Sequence, residues 1–145
     1  MKHKLLNAAA GTRSFALVFD TGDEVLAGLR EFADSRNLAA AHFSAIGAFQ
    51  DVILGWFDWD RRDYQRIPLR EQVEVLSLLG DVTLNDNKRT VHAHVVVGTS
   101  SAQARGGHLL EAHVRPTLEL FLQEDPSHLR RTFDPQAQIP LISLQ

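Results

Sequence analysis

The chain has 145 residues, a size that fits one domain around one hydrophobic core. Hydrophobic residues make up 44% and charged residues 23%, which excludes a disordered or low-complexity chain. There are no cysteines, so disulfides, thiolate metal sites and cysteine nucleophiles are excluded, and the net charge of −3 argues against a general electrostatic grip on nucleic acid, while leaving room for a local basic patch.

The first residues, MKHKLLNAAAG, faintly imitate a signal peptide. Asn7 interrupts the apolar stretch, which falls short of the usual core of about 7–15 residues. No run is long enough to span a bilayer. The expectation is a cytoplasmic protein with no membrane partner.

Ser14–Asp20 (SFALVFD) reads as a strand. Thr21-Gly22-Asp23-Glu24 has capping-box spacing, with Thr21 as the cap and Glu24 reaching back. Val25, Leu26, Leu29, Phe32 and Ala33 then fall at helical spacing, so a long capped helix is expected over about 23–36, with Asn37 as its stop. Two strands follow: 40–46, ended by Gly47, and 51–58, with Gly55 marking a bulge or a close backbone approach. Arg61-Arg62-Asp63 marks a turn. Tyr64–Ile67 is a short strand ended by Pro68, and 72–84 (QVEVLSLLGDVTL) is a further strand. Asn85-Asp86-Asn87-Lys88 is a strong turn signal before the strand Thr90–Val97. Leu109–His113 reads as a short helix or an irregular segment, Thr117–Gln123 (TLELFLQ) alternates as a strand, and an edge strand lies near Ile139–Leu144. One helix followed by consecutive strands argues for an α+β fold with a mainly antiparallel β-sheet and the helix packed on it.

The chemistry-bearing residues cluster in VHAHVVVG (Val91–Gly98) and GGHL (Gly106–Leu109). On a strand His92 and His94 share one face, roughly 6.5–7 Å apart at the backbone. The connection TSSAQA turns the chain back toward Gly106, Gly107 and His108. Three converging imidazoles make a plausible open metal site, zinc or another first-row divalent metal. The same histidines read equally as half-buried imidazoles with backbone or water partners. His113 reads as a fourth ligand, a partner of a ligand or a surface histidine. His42 falls in an apolar segment and reads as a core or interface residue; His3 and His128 carry no argument.

Glu74 lies between Val73 and Val75 in an apolar strand, where an unpartnered carboxylate would be costly. It is a candidate for a general base or for an acceptor that orients a liganding imidazole; an ion pair with an arginine from the same or a neighbouring subunit is the alternative. Arg105 could contact an anion at the mouth of the site. Gly106 and Gly107 could allow close backbone approach or positive φ, or offer amides to an oxyanion. Trp56, Phe57, Trp59 and Tyr64 beside Arg61, Arg62 and Arg66 suggest base stacking with phosphate contacts, or core aromatics and an interface. No nucleotide loop, G-x-S-x-G elbow or H-E-x-x-H is present.

The series SAIGAFQDVILGWFD, VEVLSLLGDVTL, VHAHVVVG, GGHLLEAHV and TLELFL, in that order, resembles the plant-and-prokaryote conserved (PPC) domain from about Ser14 to Gln123. The resemblance implies a mainly antiparallel sheet with a helix packed on it, a homotrimer, and a metal site, usually zinc, at His92, His94 and His108. The DNA-binding role associated with the family belongs to plant proteins with an AT-hook, and no Arg-Gly-Arg-Pro core occurs here. The resemblance supplies no settled activity. The expectation is a homotrimeric metal-binding protein with a small, anionic ligand. The alternative is a DNA-associated or regulatory protein that uses the trimer as a platform. If the site is catalytic, a metal-dependent hydrolase or lyase step fits, since zinc lowers the pKa of water toward about 7.

Overall fold

The computed structural model describes residues 1–9, 11–125 and 129–144; His128 lies outside them. In chain order the elements are β1 (Lys2–Ala9), β2 (Thr12–Asp20), α1 (Val25–Ser35), β3 (Ala41–Asp58), β4 (Asp63–Leu69), β5 (Val73–Asn85), β6 (Lys88–Gly98), β7 (Ala104–Glu124), β8 (Arg130–Asp134) and β9 (Ile139–Ser143). The alternating segments became strands because a pleat sends every second side chain to the core. Val73, Val75, Ala93, Val95 and Val97 are buried in this way while Glu74 and His94 face out.

Among the described residues nine strands form one sheet along the order β1-β2-β7-β3-β5-β8-β9, with β4 on β3 and β6 on β5 and β7. Since β3 pairs with both β7 and β5, and β6 pairs with both β5 and β7, these four strands close a circuit. The pairings are antiparallel except for the short parallel contact of Leu84 and Asn85 with Arg130 and Arg131. Phe49, Leu78, Leu109 and Leu118 are fully buried in the core, and Leu29 and Phe32 of α1 join the same cluster. Each contributes roughly 1.5–3 kcal/mol by leaving water. No helix among the described residues is long and apolar enough to cross a membrane.

The helix is shorter than expected, 11 residues, and the capping box does not form. The Thr21 hydroxyl donates to the Pro116 carbonyl at 3.1 Å, and Asp23 accepts from the Asp20 amide at 2.8 Å. Glu24 caps instead, accepting from the amides of Leu26 (3.2 Å) and Ala27 (2.6 Å). Asn37 does follow the helix end, in the left-handed region at φ 52°. Arg89 of β6 then fastens that end, donating to the Leu38 carbonyl, Asp34 and Asn37.

Two expected interruptions are absent. The strands predicted on either side of Gly47 are one strand, β3, of 18 residues. Gly47 sits at φ 152°, and a Cβ there would come within 2.3 Å of the Thr117 carbonyl oxygen, so glycine lets β3 bend tightly over β7 without ending. Leu109–His113 is neither helix nor irregular; it lies inside β7, of 21 residues, whose curvature is absorbed by three register shifts against β3. The N-terminal segment that resembles a signal peptide forms β1 on β2, and β8 had no forecast at all.

Candidate metal centre

A two-residue turn, Asp86-Asn87 with φ of 49° and 61°, sets the β5–β6 hairpin in register from Asn85 opposite Lys88. Along that hairpin His92 and His94 fall on the face opposite the buried Ala93 and Val95. The next reversal, held by Thr99 and Gln103 backbone hydrogen bonds and by Ala102 at φ 60°, returns the chain as β7. Its register places His108 directly across from His94 on one side and Gly55 of β3 on the other.

The three rings converge. Centroids are 5.1 Å apart for His92–His94, 5.1 Å for His92–His108 and 5.3 Å for His94–His108. One nitrogen from each lies within 4.8 Å of the others. Neither Gly106 nor Gly107 adopts positive φ. Their smallness serves close packing instead: a Cβ on Gly107 would lie 2.7 Å from the Gly55 carbonyl oxygen. Tyr64 of β4 closes one side, its ring stacked on His108 at 4.4 Å and 28°. That stacking needs Gly55, where a Cβ would meet the Tyr64 ring at 2.9 Å.

The surroundings favour the neutral form of His94 and His108. Burial, followed by the charges of His92, His94 and Arg131, pushes His108 down to about 4. Burial and then His92 lower His94 as well. Nδ1 of His108 is buried with no hydrogen-bond partner, an unfavourable state that coordination would relieve. An imidazole binds metal only when neutral, so these residues fit a metal. Three nitrogen donors suit zinc, copper or nickel better than calcium or magnesium, and leave a coordination position open.

Two residues of this neighbourhood were not foreseen. Asp81 stands opposite His92 in the β5–β6 pairing, with Oδ2 3.4 Å from His92 Nδ1. Arg131 of β8 bridges to both Asp81 oxygens at 2.8 and 3.0 Å. Burial works to raise the Asp81 carboxyl, but contact with His92 and Arg131 outweighs it and holds the group below its ordinary range.

Other expected residues sit elsewhere. Nδ1 of His113 is 2.8 Å from Asp51, five positions along β7 from His108 and outside the three-histidine group. Glu74 faces solvent at the other end of β5 from Asp81, in register with Ala48 and Gly98. The pleat that buries Val73 and Val75 turns the carboxylate outward, so it carries no burial cost. Arg105 is exposed beside Gln103, its guanidinium 3.1 Å from that side-chain oxygen, and Gly106 is paired with Val96. His42 is exposed against Asp125, and His3 contacts Arg36. Of the aromatic cluster, Phe57 packs on Trp59 and Tyr64, and Arg62 lies 4.1 Å over the Trp59 ring.

Solved structures resemble the whole chain. A metal-containing protein of Archaeoglobus fulgidus shares 34% identity and a TM-score of 0.83 over 90% of this chain and 92% of its own. A plant- and prokaryote-conserved protein of Pyrococcus horikoshii shares 28% with a TM-score of 0.85, over 99% and 96%. A putative DNA-binding protein of Ralstonia eutropha JMP134 shares 28% with a TM-score of 0.86, over 98% and 96%. No curated protein matches the sequence. The profile of the Plants and Prokaryotes Conserved (PCC) domain matches residues 6–126, and the chain belongs to that family.

Proposed function

We propose that this protein binds a first-row divalent metal, zinc foremost, through His92, His94 and His108, and uses the site's open position for a small anionic ligand. The observation that carries this reading is the convergence of three imidazole nitrogens within 4.8 Å on two adjoining strands. A bound metal would supply a Lewis acid, the requirement of a hydrolase or lyase step. The chain's own part is to favour the neutral form of His94 and His108 and to wall one side with Tyr64. The metal-containing character of the Archaeoglobus relative points the same way.

The working assembly in this reading is a homotrimer in the cytoplasm. In its favour, Ile46, Leu76, Leu79 and Phe121 are 55–62% exposed on neighbouring strands, an apolar patch that isolated monomers seldom leave in water. A DNA-associated role draws support from the description of the Ralstonia relative. Against it stand the net charge of −3 and the lack of an AT-hook. DNA binding that survives chelation and weakens steeply with salt would favour that role.

The deciding experiment is elemental analysis of untagged protein beside a His92→Ala/His94→Ala variant, with the mass in solution measured on the same samples. About one metal per chain in the parent, none in a folded variant, and a mass near three times 16.2 kDa are expected. No metal in the parent, even after zinc is offered, overturns the reading.

A further inference from the structure

His92 differs from its two companions in what stands behind it. Its Nδ1 is faced by two groups with opposite demands. Asp81 Oδ2, 3.4 Å away, can only accept a hydrogen bond. Arg131 Nη2, 3.2 Å away, can only donate one. The two are bound to each other through both Asp81 oxygens. Arg131 is only 9% exposed, and its remaining donors are also engaged: Nε with Thr83 Oγ1 at 2.8 Å and Nη1 with the Pro140 carbonyl at 3.2 Å. A buried guanidinium so fully tied is a fixed object, and it fixes the carboxylate beside it. With Nδ1 turned to this pair, Nε2 is the nitrogen left for the three-histidine group. A neutral imidazole that gives Nε2 to a metal carries its proton on Nδ1; of the two groups facing that atom only the Asp81 carboxylate can accept it, and Arg131 Nη2 then donates to the carboxylate alone.

We infer that Asp81 and Arg131 are positioning residues for the metal centre: the carboxylate accepts a hydrogen bond from His92 Nδ1–H and holds the ring with Nε2 toward His94 and His108, and the arginine holds the carboxylate. The short strand β8, which the histidine motif does not include, thereby becomes part of the site. This rests on the metal reading above. The pair acts through His92 and touches neither metal nor ligand.

The test compares the parent with Asp81→Asn and Arg131→Lys, each first confirmed to be folded by circular dichroism. Zinc affinity is measured by competition with a chromophoric chelator, and the His92 ring nitrogens are followed by ¹⁵N NMR in the metal-free proteins. Asp81→Asn should weaken zinc binding about 10- to 100-fold and change the His92 nitrogen shifts, which a merely structural role would leave alone. Arg131→Lys keeps a cation beside Asp81 and should lose less. A parent that binds zinc and an Asp81→Asn protein with equal affinity and unaltered His92 shifts would overturn the inference alone. A parent that binds no zinc would overturn the metal reading itself. Should Arg131→Lys fail to fold, Asp81→Asn decides.

Discussion

His108 and His113 lie five residues apart on β7, yet the fold treats the same ring in opposite ways. His108 is packed under Tyr64, beside two other imidazoles, with no partner for its buried Nδ1. His113 is hydrogen-bonded to Asp51, which raises its pKa against the opposing effect of burial; the charges of Asp51, Glu111 and Glu24 add to the rise. One ring is kept as a bare base that can give a lone pair to a metal. The other is drawn toward its charged form by the carboxylate that ties β3 to β7. Residue type alone does not decide what a histidine does; the neighbour across the ladder does.

The sharpest way to break this contrast is by substitution. His108→Ala should abolish stoichiometric metal binding, while His113→Ala leaves the metal content of the folded protein unchanged; elemental analysis reads both. Equal loss in the two variants would mean that His113 also serves the site.

A subtler change moves the site without touching a histidine. Gly107→Ala places a Cβ 2.7 Å from the Gly55 carbonyl oxygen, so β3 and β7 must separate beside His108. Chemical denaturation should show a loss of about 1–3 kcal/mol, with weaker metal binding. An unaffected stability would show that the strands part freely there.

The smallest effect concerns the His113 end. Because its pKa is raised on folding, the Asp51 pair contributes stability in full below the unfolded value of about 6.5 and loses it as pH climbs through the folded value. The pair is more than a third exposed, so its worth is under about 1 kcal/mol. The melting temperature of the parent should exceed that of Asp51→Asn most near pH 5.5, with the gap narrowing as pH climbs past the unfolded value of about 6.5. A gap independent of pH would show that the contact works without charge.

Much of the site was legible before the fold. His-x-His in an apolar run, a polar reversal and a Gly-Gly-His return suffice to bring three imidazoles together, because strand pleat and antiparallel pairing are local rules. Asp81 was equally within reach. Once Asp86-Asn87 is taken as a two-residue turn, Asn85 faces Lys88, and counting back four places sets Asp81 opposite His92. Arg131 was not within reach, because it arrives through a parallel contact of two residues between distant segments. The long strands were misjudged for a related reason. Gly47 and the Leu109–His113 stretch look like breaks in isolation, and only pairing with each other's strands keeps them extended. The helix was overextended because Thr21 has capping chemistry that a distant contact with the Pro116 carbonyl claims instead, while Asp23 closes a local turn on the Asp20 amide.

The β6–β7 hairpin carries a consequence for folding. A metal on His94 and His108 would link two points of the chain that backbone pairing already joins. The entropy of closing that loop is lost when the hairpin forms, so the ion has little of it left to remove from the unfolded chain. What remains is mass action: the gain grows with the logarithm of free metal over its dissociation constant. Such an ion's contribution to stability would therefore rise and fall with the free metal around the protein.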